Sequence, residues 1–118
     1  RRSSINEQTV SSFKTEVNEI GKLLIQAFIQ ASDQAGVSVS QKLAQKELKE
    51  ADKKYSQVVS LVAAKVKGEN YSVGSSLELN ESFLNTAKTG FESGDFNQAY
   101  INALVSRIIS QELKSMIK

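Results

Sequence analysis

Hydrophobic residues recur in steps of three and four over four long stretches of this chain, and no stretch alternates every second residue over a strand's length. Steps of three and four place side chains on one face of an α-helix. Glycine, serine and aspartate, which end or cap helices, stand at the breaks between the stretches. The pattern predicts helices over about residues 6–31, 38–67, 76–93 and 96–117, and hence an all-α fold, an antiparallel four-helix bundle.

The first predicted helix carries an unbroken heptad pattern of apolar residues, the seam of a bundle or coiled coil. We expect the second half of this helix to be buried on several sides, with Leu24 in the core, because further apolar residues widen the stripe. The missing side chain of Gly21 would let another helix approach closely. The seam consists of Val10, Phe13, Val17, Ile20, Leu24, Ala27 and Ala31, and the widening residues are Leu23, Ile25, Phe28 and Ile29.

The second and third predicted helices have clear start and stop residues. Ser38, with Gln41 three residues later, is typical of a capping box, and Gly68 ends the second helix. Residues 69–74 form the longest polar connection, after which Ser75 is placed to cap the third helix. The apolar stripe of the second helix is Ala44, Leu48, Ala51, Tyr55, Val58, Val62 and Val66, and that of the fourth is Ile101, Leu104, Val105, Ile108, Ile109, Leu113 and Met116.

The third and fourth helices are joined by a short turn whose residues predict its geometry. We expect a positive φ at Gly94, because one helix must end there and the next begins at Phe96 with no residue to spare. Asp95 should cap the fourth helix, with Gln98 as its reciprocal partner. Phe91 and Phe96 should meet near the turn.

This hairpin, residues 83–106, resembles a single tetratricopeptide repeat. Such a repeat has a large aromatic residue, a small residue four positions later, a turn of glycine, aspartate and an aromatic residue, and then a second small residue. Here these are Phe83, Ala87, Gly94 with Asp95 and Phe96, and Ala99. Thr86 and Gly90 depart from the pattern, and no second copy lies upstream. The resemblance implies a helical hairpin and no peptide groove, which would need stacked repeats. A generic helical hairpin is the alternative.

Composition excludes more chemistry than it supports. The chain has 118 residues, which we expect to form a single domain, residues 1–118, as a module of a larger protein. Histidine and cysteine are both absent, which excludes classical zinc sites and serine–histidine or cysteine–histidine catalysis. The carboxylate pairs Glu16 with Glu19 and Glu47 with Glu50 are typical of solvated helix faces. We therefore expect no enzyme, no cofactor and no metal, and the apolar runs are too short for a membrane span.

Four lysines share one face of the second predicted helix: Lys42, Lys46, Lys49 and Lys53. They are a possible partner surface, and such a face could bind nucleic acid or an acidic membrane. Glu47, Glu50 and Asp52 dilute the positive charge, and the net charge of the chain is only +2. We therefore expect no nucleic-acid partner.

The sequence favours a soluble, non-catalytic helical-bundle module for protein–protein interaction or assembly, with a protein partner or self-association. One alternative is a structural helical unit of a secreted fibre, because residues 96–104 resemble the helical repeat units of spider silk proteins. The other alternative is a carrier of an apolar ligand inside the bundle, in a pocket lined by Phe13, Phe28, Phe83, Phe91 and Phe96.

Overall fold

Four α-helices account for nearly all of the chain that the computed structural model describes, residues 7–65 and 71–117. The helices are α1 (Glu7–Ala35), α2 (Gln41–Lys65), α3 (Tyr71–Glu92) and α4 (Phe96–Ile117). No strand occurs within these described ranges. The all-α, four-helix fold class predicted from the apolar spacing is confirmed, while three helix ends differ from the prediction.

The end of α1 lies one turn later than predicted, at Ala35 instead of about residue 31. Gly36 follows in the left-handed conformation, with φ of 66°. The Val37 N–H donates to the Ser32 carbonyl at 3.0 Å, and the Gly36 N–H donates to the Asp33 carbonyl at 3.2 Å. These two bonds form a Schellman motif, which satisfies carbonyls that the helix end would leave unpaired. Glycine therefore sets the end, and the polar residues before it stay helical.

The cap of α2 is Ser40, so the prediction of Ser38 was wrong. The Ser40 hydroxyl accepts from the Leu43 N–H at 3.1 Å. The segment before Ser40 cannot join the helix because the side chain of Asn97 in α4 binds it. The side-chain oxygen of Asn97 accepts from the Val39 N–H, and the side-chain NH2 group donates to the Val37 carbonyl. The connection between α1 and α2 is thereby fixed to the start of α4. The predicted stop at Gly68 lies outside the described residues.

The start of α3 is Tyr71, about five residues before the predicted start. Gly74, at the end of the predicted polar connection, and Ser75, the predicted cap, therefore lie inside the helix. Val73 explains the early start because it is buried in the main core cluster. Burial of a valine side chain contributes about 1.5–3 kcal/mol, which exceeds the cost of roughly 1 kcal/mol for a glycine inside a helix.

The hairpin of α3 and α4 lies at the centre, with α1 on one side and α2 on the other. Among the described residues, α1 and α2 each contact both central helices and do not contact one another. Gly21 lies against Val105 and Phe28 against Tyr100, so α1 and α4 run in opposite directions. Glu47 pairs with Arg107, and Lys54 borders the same groove as Lys114, so α2 and α4 run in the same direction.

The core is built mainly on α4. The larger of its two clusters contains residues of α2, α3 and α4. Phe13, Val17 and Ile25 of α1 are partly buried and pack against this cluster. The stripe predicted for α2 is confirmed at Ala44, Ala51 and Val58, which are buried, while Leu48, Tyr55 and Val62 are half-buried. The last residue of that stripe, Val66, lies outside the described residues. The buried residues of the larger cluster are Val58, Val73, Phe83, Val105, Ile109, Leu113 and Ile117.

The turn between α3 and α4 has the predicted geometry at three points. Gly94 has φ of 84°, the Asp95 carboxylate accepts from the Gln98 N–H at 3.2 Å, and the rings of Phe91 and Phe96 meet edge to face at 5.4 Å. The reciprocal bond from Gln98 does not form. The Asp95 N–H donates instead to the Gly90 carbonyl at 2.8 Å, because the Schellman motif that ends α3 takes that donor.

Candidate functional site

The heptad seam of α1 lies largely on the solvent side of the helix. Ile20 is 60% exposed and Leu24 is 44% exposed, while Leu23, beside the seam, is 65% exposed. Ala27 and Ala31 are exposed as well. The predictions that Leu24 is a core residue and that the second half of α1 is buried on several sides were therefore wrong. The cause is the arrangement of the helices: α1 contacts only α3 and α4, so only one of its faces is covered.

The covered face of α1 is centred on Gly21 rather than on the seam. Gly21 is buried, and a Cβ atom there would lie 3.3 Å from the Phe83 ring and 3.4 Å from Val105. The close approach predicted for this glycine is confirmed. The α1 helix packs most closely where Gly21 has no side chain. The helix face that holds Gly21, Ile25 and Phe28 therefore lies against the hairpin. The heptad seam is left on the neighbouring face.

An apolar groove of about 300 Å³ runs between α1 and α4 along this seam. Ile108 of α4, which the sequence placed in the core stripe, is 41% exposed on the far wall. A groove with two apolar helical walls has the form that receives an amphipathic helix. The lining of the groove includes Phe13, Val17, Ile20 and Leu24 of α1 and Val105 and Ile108 of α4.

All four lysines of the predicted partner surface, Lys42, Lys46, Lys49 and Lys53, are exposed. Their helical spacing places them on the side of α2 opposite the buried residues of that helix. Two of the acidic residues expected to dilute the positive charge of this face pair with residues of other helices. Glu47 accepts from Arg107 of α4 at 2.5 Å and is half-buried, and Asp52 pairs with Lys88 of α3 at 3.4 Å. The role of this lysine face as a partner surface stays a prediction.

A buried polar cluster, which the apolar pattern of the sequence did not predict, joins α3 to α4. Asn80 donates to the Ser110 hydroxyl at 2.8 Å and accepts from the Ser106 hydroxyl at 2.5 Å. The nearby Ser76 hydroxyl is buried and has no hydrogen-bond partner. An asparagine side chain cannot take a proton from serine, so the cluster lacks a general base. Buried amides of this kind can fix the register between two helices.

The five phenylalanines proposed to line a ligand pocket lie in different parts of the described fold. Phe83 lies in the core, Phe91 and Phe96 meet edge to face at the hairpin turn, and Phe28 packs against Tyr100 with ring centroids 5.9 Å apart. Phe13 alone among the five lines the groove between α1 and α4. The arrangement gives no support to an apolar ligand enclosed by these rings.

The described residues also bear on metals and membranes. Within residues 7–65 and 71–117, no three His, Cys, Asp or Glu side chains lie close enough together to hold a metal ion. In the same ranges, no helix combines the length and the apolar character needed to cross a membrane.

No protein-family model, curated protein or solved structure matches this chain. The resemblance of residues 83–106 to a tetratricopeptide repeat therefore stays a prediction.

Proposed function

We propose that this chain is a non-catalytic module for protein–protein interaction or assembly that binds an amphipathic helix in the groove between α1 and α4. The observation that supports the proposal is the exposure of the second half of the α1 seam, beside the exposed Ile108 of α4; the exposed seam residues are Ile20, Leu24, Ala27 and Ala31. Heptad spacing is the pattern by which one helix packs against another, and α2 does not cover this seam.

The apolar surface in and beside the groove is large enough for reversible binding. Ile20, Leu23, Leu24 and Ile108 together expose about the equivalent of two whole aliphatic side chains, so covering them contributes roughly 3–6 kcal/mol. Further contacts come from Phe13 and Val17. The bound helix covers a matching apolar face of its own, which contributes a similar amount. Association costs at least about 4 kcal/mol in lost freedom of movement, so at most about 8 kcal/mol remains, which corresponds to binding in the micromolar range or weaker.

The side chains of the bundle support a non-catalytic role. The chain has neither histidine nor cysteine, and the buried serines bond to an asparagine that cannot act as a base. The ion pair of Glu47 with Arg107 links α2 to α4. Such a half-buried ion pair between two packed helices is typical of a structural contact.

A synthetic amphipathic helix tests the proposal. The probe is a fluorescent peptide of about four heptads with isoleucine and leucine at the seam positions, and its scrambled sequence is the peptide control. We expect saturable binding of the heptad peptide, in the micromolar range or weaker, and no binding of the scrambled peptide, both measured by fluorescence anisotropy. Leu24→Lys should weaken this binding at least about tenfold, because a lysine replaces an apolar contact in the groove.

The matched control is Leu43→Lys. Leu43 is 46% exposed, much like Leu24 at 44%, but lies on α2 away from the groove. This variant should bind like the parent chain. Absence of binding, or an equal loss with both variants, would overturn the proposal. Loss of binding on Lys46→Glu with Lys49→Glu, together with normal binding by Leu24→Lys, would assign the partner surface to the lysine face instead.

A further inference from the structure

We infer that the groove is occupied by α1 of a second copy of this chain, running antiparallel about a two-fold axis at the level of Lys22. The inference rests on the proposed function of the groove and identifies the partner helix. In such a pair, each copy offers the same surface to the other, as a two-fold interface requires.

The order of large and small residues along the seam is self-complementary in this antiparallel register. An axis at Lys22 places residues equally far before and after that position opposite each other. Ile20 then meets Leu24 of the second copy, and by the same rule residue 17 meets residue 27 and residue 13 meets residue 31. The large residues Phe13 and Val17 therefore face the small residues Ala31 and Ala27.

A parallel pairing of the same seams would fit poorly. It would set Phe13 against Phe13 and both alanines against their own copies, which crowds one end and leaves gaps at the other. The antiparallel register also separates the acidic side chain of the groove from its own copy, and Lys22, at the axis, lies on the side of α1 opposite the seam. Glu16 is the charged side chain among the described residues that line the groove, and it would lie at the level of Phe28 of the second copy rather than opposite itself.

The size of the seam sets the strength of the dimer. Residues 13–31 span about 27 Å at 1.5 Å per residue, and a helix is about 10 Å wide. The resulting strip is smaller than the roughly 800 Å² that each partner buries in a standard interface. The dimer should therefore be reversible rather than obligate, with a dissociation constant on the order of tens of micromolar, inside the range derived above for covering the groove.

Analytical ultracentrifugation of the full chain from about 5 to 500 µM, a range that brackets the weak dimer, tests the pairing. We expect a monomer at the low end and a dimer at the high end. Leu24→Lys should remain monomeric throughout, and Leu43→Lys should dimerise like the parent. A chain that stays monomeric but binds the heptad peptide would overturn self-pairing and leave the proposed function standing. Failure of both experiments would overturn both proposals.

Disulfide trapping tests the register, because the chain has no cysteine of its own. A Val17→Cys chain is mixed with an Ala27→Cys chain and oxidised in air. We expect the mixed disulfide to exceed either homodisulfide several-fold, since these two positions face each other only in the antiparallel pair. An excess of the two homodisulfides would overturn the antiparallel register.

Discussion

Gly90 should be a position in α3 where alanine is harmful, although alanine is the better helix former. A Cβ atom there would lie 3.1 Å from the Ala99 backbone nitrogen and 3.2 Å from the Asp95 carbonyl oxygen. Backbone atoms cannot rotate away, so the start of α4 would have to move. Such overpacking costs about 1–3 kcal/mol, and the gain in helix propensity returns roughly 1 kcal/mol. Gly90→Ala should therefore lose up to about 2 kcal/mol of unfolding free energy.

Gly74→Ala is the matched control in the same helix. A Cβ atom at Gly74 meets nothing within 4 Å, so only the propensity gain of up to about 1 kcal/mol remains. Urea unfolding followed by helical circular dichroism should separate the two variants by about 1–3 kcal/mol, or by several degrees in the thermal midpoint. Equal stabilisation by both substitutions would refute the close contact between α3 and α4.

Three further predictions concern the core, the turn and the pH dependence. Leu113→Ala should lower the free energy of unfolding by about 2–5 kcal/mol because Leu113 is fully buried. Leu24→Ala should lower it by less than about 1 kcal/mol because Leu24 is exposed. The reversed order in urea unfolding would contradict this assignment of the helix faces. Gly94→Ala should cost about 1 kcal/mol, since Gly94 has φ of 84°, and an unchanged thermal midpoint would exclude that strain. Burial, and secondarily Glu81, raises the pKa of Tyr55 above its ordinary 10.0. The folded chain therefore keeps this proton after the unfolded chain loses it, and stability falls as pH rises above about 10. Tyr55→Phe should flatten that fall in unfolding curves measured at successive pH values.

The sequence predicted most of the fold because local chemistry decides most of it. Steps of three and four identify a helix whatever it packs against, and glycine with positive φ ends α3 as expected. The start of α3 was missed because Val73 is held by distant core residues that local spacing does not reveal. The cap at Ser40 was missed for a similar reason, since Asn97 lies 58 residues from Val39, whose N–H it binds.

The candidate site was harder to predict than the fold. The heptad spacing of α1 predicted a surface for packing against another helix. Spacing alone does not say whether that partner helix lies in the same chain. Gly21 was the signal that could have helped, because a glycine between apolar faces marks the side of closest approach. Asn80 gave a second signal, since it lies three residues before Phe83 and seven before Ala87, on their helical face.

The most direct measurement of the central claim is a map of where the amphipathic heptad peptide binds, made by amide chemical shifts in the full chain. We predict that the shifts cluster on residues 13–24 of α1 and 105–109 of α4, which form the groove. The same titration of the Leu24→Lys variant should leave these signals unmoved. Shifts centred on the lysine face of α2, residues 42–53, or no shifts at saturating peptide, would contradict the account.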